Sequence, residues 1–343
     1  MPTAVLQTPP APAAAEPVLV VDRLRAYYRT HAFGLDRDIR AVDDISLTVA
    51  PGEVYGIAGE SSSGKTTLIK TIVGAIRPPL AVVGGSVRFR FGGEIRDIYA
   101  LTPAELQTIR WRHLSCILQG SMNVLNPVRQ IRHSFQDFAF PHMGLKPAAF
   151  WQAVRAHLAR LDLDPAVLDS YPHQLSGGMR QRTTIALATV CTPEFIVADE
   201  PTTALDVIVQ RDVLTMLRDI QRRLGSSFLF VTHDMSVHAT VSDRVGIVYA
   251  GRLVEEAETP TLFRGALHPY TQHLVASLPR IGDTTRRASL PGRPPSLADP
   301  PSGCRFHPRC PLAMDVCREK VPALVEAAPR HRVACFAVSG APS

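Results

Sequence analysis

The sequence predicts an α/β body on a mostly parallel sheet, interrupted by a helical insertion and followed by a small Cys-rich module. Three observations predict it. Short apolar runs alternate with helical periodicity between residues 18 and 260, residues 130–170 show helical periodicity with few strand signals, and prolines and cysteines crowd the chain from Pro260 onward. Strands that alternate with helices need crossover connections, which favour parallel pairing with both faces of the sheet covered. A chain of 343 residues, 45% apolar and 20% charged, can bury a large core and is not globally disordered.

The elements follow in chain order. Prolines break the start, MPTAVLQTPPAPAAAEP, so residues 1–17 read as a flexible arm. It lacks the basic start of a secretory signal. Val18–Leu24, Val54–Ala58, Phe195–Ala198, Ser227–Val231 and Arg244–Tyr249 read as buried strands. Val207–Leu224 reads as an amphipathic helix: Val213, Leu214, Leu217, Ile220 and Leu224 share one face, Arg and Asp occupy the other, and Gly225 stops it. Residues 18–260 thus form the body, with its helical part over about 120–190, and residues 261–343 form a separate module. No apolar run approaches the roughly 18–20 residues of a membrane helix. The net charge, 37 − 31 = +6, suits contact with phosphates or a lipid surface. No cluster of five or more basic residues argues for nucleic acid.

The strongest local signal is Gly59-Glu60-Ser61-Ser62-Ser63-Gly64-Lys65-Thr66-Thr67, between the strand VYGIA and the helical run TLIKTIVGAI. This is the strand–GxxxxGK[ST]–helix context of a phosphate loop, and it predicts a P-loop NTPase. The glycines let backbone N–H groups wrap phosphates at the positive end of a helix. Lys65 would neutralise the β- and γ-phosphates, and the Thr66 hydroxyl would ligate Mg²⁺. A second apolar strand ends in two carboxylates, Asp199 and Glu200. Asp199 can hold Mg²⁺ through water, and Glu200 can accept a proton from an attacking water. Taken alone, the pair could equally cap the following turn. Beside a phosphate loop, it predicts hydrolysis of a nucleoside triphosphate.

Leu175-Ser176-Gly177-Gly178-Met179-Arg180-Gln181-Arg182 resembles the signature sequence of ATP-binding cassette ATPases. Gln119 resembles that family's Q-loop, Ala204-Leu205-Asp206 its D-loop, and Thr232-His233-Asp234 its H-loop. Tyr28 stands where the family places an aromatic that stacks on adenine, with Tyr27 as its competitor. The resemblance implies the ATP-binding-cassette fold with a helical subdomain. It implies ATP held between the phosphate loop of one subunit and Ser176, Gly177, Gly178 and Asp206 of another. It also implies Gln119 on Mg²⁺ and the attacking water, and His233 on the γ-phosphate. The signature makes sense by itself as a second anion site, because Ser176–Gly178 expose N–H groups ahead of a helix over Met179–Thr189. Two departures stand out: Ser62 replaces the family's usual glycine or other small residue, and Gly120 replaces the aspartate that usually follows the Q-loop glutamine.

Cys304, Cys310, Cys317 and Cys335 follow a C-x5-C-x6-C-x17-C spacing. With HPYTQHLVASLP (268–279) upstream, this tail resembles that of the ATPases of oligopeptide and dipeptide importers. Four thiolates can bind a [4Fe–4S] cluster or zinc. The C-x2-4-C knuckle usual for zinc is absent, while Pro311 after Cys310 echoes ferredoxin-type ligation. The resemblance also implies an iron–sulfur cluster, which would tie a proline-rich segment together. Free cysteines, zinc, and His307 as a competing ligand remain open.

The resulting expectation is an ATP-hydrolysing subunit on the cytoplasmic face of the inner membrane. Its implied partners are a second, homologous ATPase subunit forming a heterodimer, two transmembrane permease subunits docking near Ser121–Pro127, and an extracytoplasmic binding protein. Oligopeptides or dipeptides lead as cargo, with oligosaccharides or nickel as alternatives. A soluble cassette ATPase of translation or DNA repair is the reading from another class, and a non-enzymatic cassette is opposed by Lys65, Glu200 and His233.

Overall fold

The computed structural model describes residues 16–32, 35–118, 120, 124–203, 205–278 and 290–340. The strands in chain order are β1 (Leu19–Ala32), β2 (Leu35–Val49), β3 (Val54–Ala58), β4 (Leu80–Phe91), β5 (Glu94–Asp97), β6 (Leu114–Ile117), β7 (Phe195–Asp199), β8 (Ser227–Val231), β9 (Arg244–Tyr249), β10 (Arg252–Glu258), β11 (Val325–Ala328) and β12 (His331–Val333). Among the described residues they form two sheets, a four-stranded one ordered β2-β1-β4-β5 and an eight-stranded one ordered β11-β12-β10-β9-β3-β8-β7-β6.

The parallel sheet expected from the alternating pattern is therefore only part of the architecture. Pairing is parallel from β9 through β3, β8 and β7 to β6. It is antiparallel at β9–β10, β10–β12 and β11–β12, and throughout the four-stranded sheet. The parallel strands read as continuous apolar runs because both faces are covered: β3, β7 and β8 are buried at every residue. The antiparallel strands carry charge on their open face, as in LDRDIRAVDDISLTV, and lack such runs.

Helices over Ile131–Phe138, Phe140–Met143 and Pro147–Arg160 make up the expected helical insertion. Phe135, Phe150, Val154 and Leu158 bury against Ile185 of the helix Gly177–Thr189 and the adjoining sheet face. The other sheet face packs on the helix Lys65–Ile72 and the four-stranded sheet. Val207–Leu224 is helical as read, started by Asp206, whose carboxylate accepts from the N–H groups of Ile208 and Val209, and stopped by Gly225 at φ +66°. No helix among the described residues is long and apolar enough to cross a membrane.

The chain beyond residue 260 is wound into the body. Strand β12 pairs with β10, covering what would otherwise be an open sheet edge. Tyr270 and Phe306 are buried against Tyr249 and Ile247 of β9. The fully buried Glu255 accepts hydrogen bonds from the Leu267 and His268 amides, and its carboxylate meets His331 Nε2 at 2.7 Å. Arg305 donates to Asp43 and to the Ala250 carbonyl, and Asp43 also receives the Tyr27 hydroxyl and Arg252. Burial draws the Arg305 pKa down to about 10, against the pull of Asp43. Arg305→Ala would leave Asp43 buried with two partners instead of three. The expected loss is about 2 kcal/mol, somewhat less than for a fully orphaned buried charge. Denaturant unfolding of the full-length chain measures it.

Candidate active site

The phosphate loop leaves β3 and enters the helix Lys65–Ile72. Two of its glycines are dictated by space as well as by φ. A Cβ on Gly59 (φ +151°) would stand 2.2 Å from the Val248 carbonyl oxygen, and one on Gly64 (φ +104°) 2.0 Å from that of Ala41. Ser62 sits at φ +63°, in the left-handed region. That conformation explains why glycine suits the position, and serine bears a strain of about 1 kcal/mol there.

Lys65 is buried, and its Nζ donates to the carbonyls of Gly59 and Glu60, both at 2.7 Å, and to Ser63 Oγ at 3.4 Å. Burial lowers its pKa, while the carboxylates of Glu200, Asp199 and Glu60 push it back up. The parallel pairing of β3, β8 and β7 thus brings the loop lysine and the two strand-end carboxylates to the same end of the sheet, although they are far apart in sequence. Thr66 is exposed, and Thr67 is buried, with its Oγ1 3.2 Å from the Tyr28 hydroxyl. The Tyr27 hydroxyl donates to Asp43.

Asp199 is buried at the end of β7. Burial and the neighbouring Glu200 raise its pKa to about 6, opposed by Lys65 and Lys70. Glu200 turns out of the strand at φ +47°. Burial works against its charged form, but hydrogen bonds from His233 and Thr203 outweigh it, and its pKa falls below the ordinary glutamate value. His233 Nδ1 lies 2.8 Å from Glu200 Oε1, and Thr203 Oγ1 donates to Glu200 Oε2 at 2.8 Å. Thr203 was not singled out in the sequence; its place three residues after Glu200, in a turn, is the signal that could have found it.

Ser176 caps the helix Gly177–Thr189, which begins two residues earlier than expected, by accepting from the Met179 amide. Nothing stands within 4 Å of a Cβ on Gly177, whereas Gly178 abuts Val209. Among the described residues, no hydrogen bond joins Ser176, Gly177 or Gly178 to the phosphate loop. Gln181 Nε2 donates to the Pro201 carbonyl at 2.6 Å, fastening this helix to the turn after Glu200. Gln119, Ala204 and Ser121–Asn123 of the expected permease-docking segment lie outside the described residues.

The C-terminal cysteines lie close enough for Cys304 to feel the other three. Burial raises the Cys304 thiol to about 11, and Cys317, Cys335 and Cys310 all add to that push. Burial raises Cys310 and Cys335 too, with Cys335 and Cys317 adding to the first and Cys317 and Glu255 to the second. As thiols they are gathered without being closed around a metal: among the described residues, no group of three or more His, Cys, Asp or Glu side chains is arranged to hold one. His307 Nδ1 lies against the Cys304 carbonyl at 2.9 Å.

The ABC transporter family model matches residues 42–203, and the model of the oligopeptide/dipeptide transporter C-terminal region matches residues 254–317. The dipeptide transport ATP-binding protein DppD of Caldanaerobacter subterraneus is 37% identical over 321 residues, covering 93% of this chain and 96% of that protein. The oligopeptide transport ATP-binding protein OppD of Salmonella typhimurium is 37% identical over 329 residues, covering 95% of each. A dimeric ATP-binding cassette solved in a post-hydrolysis state with ADP and Pi superposes with a TM-score of 0.60 at 24% identity, over 70% of this chain and 98% of that one, a likeness of fold. With fold, motifs and relatives in agreement, the chain belongs to the ATP-binding-cassette transporter ATPases, in the group that carries the oligopeptide/dipeptide transporter C-terminal region.

Proposed function

We propose that this chain is the nucleotide-binding subunit of a peptide importer and that it hydrolyses ATP at the end of the sheet where Lys65, Asp199 and Glu200 meet. The observation that carries the reading is the convergence of one buried ammonium and two carboxylates beside a glycine-shaped loop. Lys65 leaves the carbonyls of Gly59 and Glu60 to neutralise the β- and γ-phosphates. Glu200, kept ionised by His233 and Thr203, takes a proton from the attacking water. His233 holds Glu200 in place and faces the γ-phosphate. Tyr28 stacks on the adenine. Thr66, Asp199 and Gln119 would hold Mg²⁺, which supplies positive charge to the phosphates when bound.

A second cassette subunit, most simply a homologous partner in a heterodimer, would complete the site. Its Ser-Gly-Gly turn would meet this phosphate loop, and Ser176, Gly177, Gly178 and Asp206 here would serve its ATP. Val207 and Ile208, 82% and 76% exposed beside Asp206, suit coverage by that partner. Two permease subunits would dock near the exposed Val124, inside the segment read from the sequence, and Val128, directly after it. This places the chain at the cytoplasmic face of the inner membrane, served by an extracytoplasmic binding protein. The names of the relatives favour dipeptides or oligopeptides as cargo over oligosaccharides or nickel. Co-purification of the assembled importer and mass spectrometry of retained cargo test the substrate.

Cys304, Cys310, Cys317 and Cys335 would hold a [4Fe–4S] cluster as a structural tie. The donor chemistry supports this: four cysteines in one tail, with Cys310, Cys317 and Cys335 all acting on Cys304. Protein purified without oxygen is expected to be brown, with broad absorption near about 400 nm. One zinc per chain and no iron would reject the cluster.

A further inference from the structure

The Arg309 side chain, 5% exposed, reaches from the C-terminal module to the second residue of the phosphate loop. Its Nη1 donates to Glu60 Oε2 at 2.9 Å and its Nη2 to Glu60 Oε1 at 3.1 Å, a two-pronged pair. Its Nε is fixed on the Pro291 carbonyl at 2.9 Å, and Nη1 also reaches the Tyr249 hydroxyl at 3.3 Å. Glu60 is held at its backbone as well. Its amide donates to the Tyr270 hydroxyl at 2.8 Å, and its carbonyl accepts Lys65 Nζ at 2.7 Å. Two of these grips, Tyr270 and Arg309, come from beyond residue 260.

A carboxylate on a loop that receives polyphosphate is an electrostatic liability. Glu60 lies close enough to Lys65 to act on its charge, so it would also act on the phosphates that Lys65 meets. We propose that Arg309 is a positioning residue for ATP: it neutralises Glu60 and fixes the start of the phosphate loop, making the C-terminal module a working part of the nucleotide site. This rests on the reading of Gly59–Thr67 as the seat of the β- and γ-phosphates. A purely structural clasp would also hold the tail down. The neutralising role adds a consequence that the clasp does not: removing Glu60's charge compensates for removing Arg309.

The test is ATPase kinetics of the assembled importer in lipid, carrying full-length variants of this chain. Arg309→Gln is expected to raise the KM for ATP about tenfold, equivalent to about 1.4 kcal/mol, with kcat changed less than about twofold. Arg309→Lys keeps the charge and loses the two-pronged geometry, so its KM is expected to rise about threefold. Glu60→Gln with Arg309→Gln is expected to bring KM back to within about threefold of the parent. If Arg309→Gln fails to fold, the lysine variant and the double variant still decide. An unchanged KM in Arg309→Gln, or a double variant no better than Arg309→Gln, would overturn the proposal. Lys65→Ala in the same preparation separates the two readings. Turnover surviving that change would sink the site and the clamp together. Loss of turnover there, beside parental kinetics for Arg309→Gln, would sink the clamp alone.

Discussion

Glu200→Gln is expected to lower turnover by about 10²- to 10⁴-fold while ATP stays bound. Glutamine matches the shape of glutamate but cannot take a proton from water. Its carbonyl oxygen can still accept from His233, and its NH2 group can donate to the Thr203 hydroxyl oxygen where the carboxylate had accepted, so the turn around φ +47° keeps a partner on each side. Removing the negative charge has a second effect. Glu200 opposes the ionisation of Asp199, whose pKa of about 6 falls when that neighbour is neutral. A more readily ionised Asp199 and one fewer charge beside the phosphates both favour retention of magnesium nucleotide. The variant is therefore expected to accumulate as an ATP-bound closed dimer with its companion subunit. Size-exclusion chromatography with MgATP and single-turnover hydrolysis measure the two effects. Ordinary turnover would remove Glu200 from the role of base.

Lys65→Ala is expected to weaken MgATP binding and kcat/KM by about 10²-fold or more, the scale on which single preorganised donors to developing charge act. The lysine sits at the centre of the resting loop, where it bridges the carbonyls of Gly59 and Glu60. Alanine removes the cation that answers the phosphates and also leaves those carbonyls without that donor. A melting curve beside the nucleotide titration separates the two losses. Little change in melting with a large loss of affinity marks the phosphate role. Affinity within about twofold of the parent would contradict it.

The parts that could be read directly are those whose causes are contiguous. Val54–Ala58, Ser227–Val231, Arg244–Tyr249 and Val207–Leu224 have the bounds read from the sequence, because an apolar run or a capped apolar stripe lies within each segment. The phosphate loop was equally legible: its glycines answer local φ requirements. The long strands β2 and β4 were missed because their open faces carry charge and their pairing partners are distant. The different partners of the Tyr27 and Tyr28 hydroxyls, Asp43 and Thr67, could not be read from their neighbours, because both partners lie on other elements.

The order of residues by itself determined the chemistry available: a phosphate cradle, a pair of carboxylates on a strand end, a histidine two residues beyond a later strand, and four thiols in one tail. Tertiary structure alone decided how these meet. Sheet order sets Lys65 against Asp199 and Glu200, and it carries the tail back so that Arg305 finds Asp43 and Arg309 finds Glu60. The physical reason is range. Backbone conformation and helix capping are settled within a few neighbouring residues, whereas a buried ion pair forms only where the packed layers bring opposite charges together.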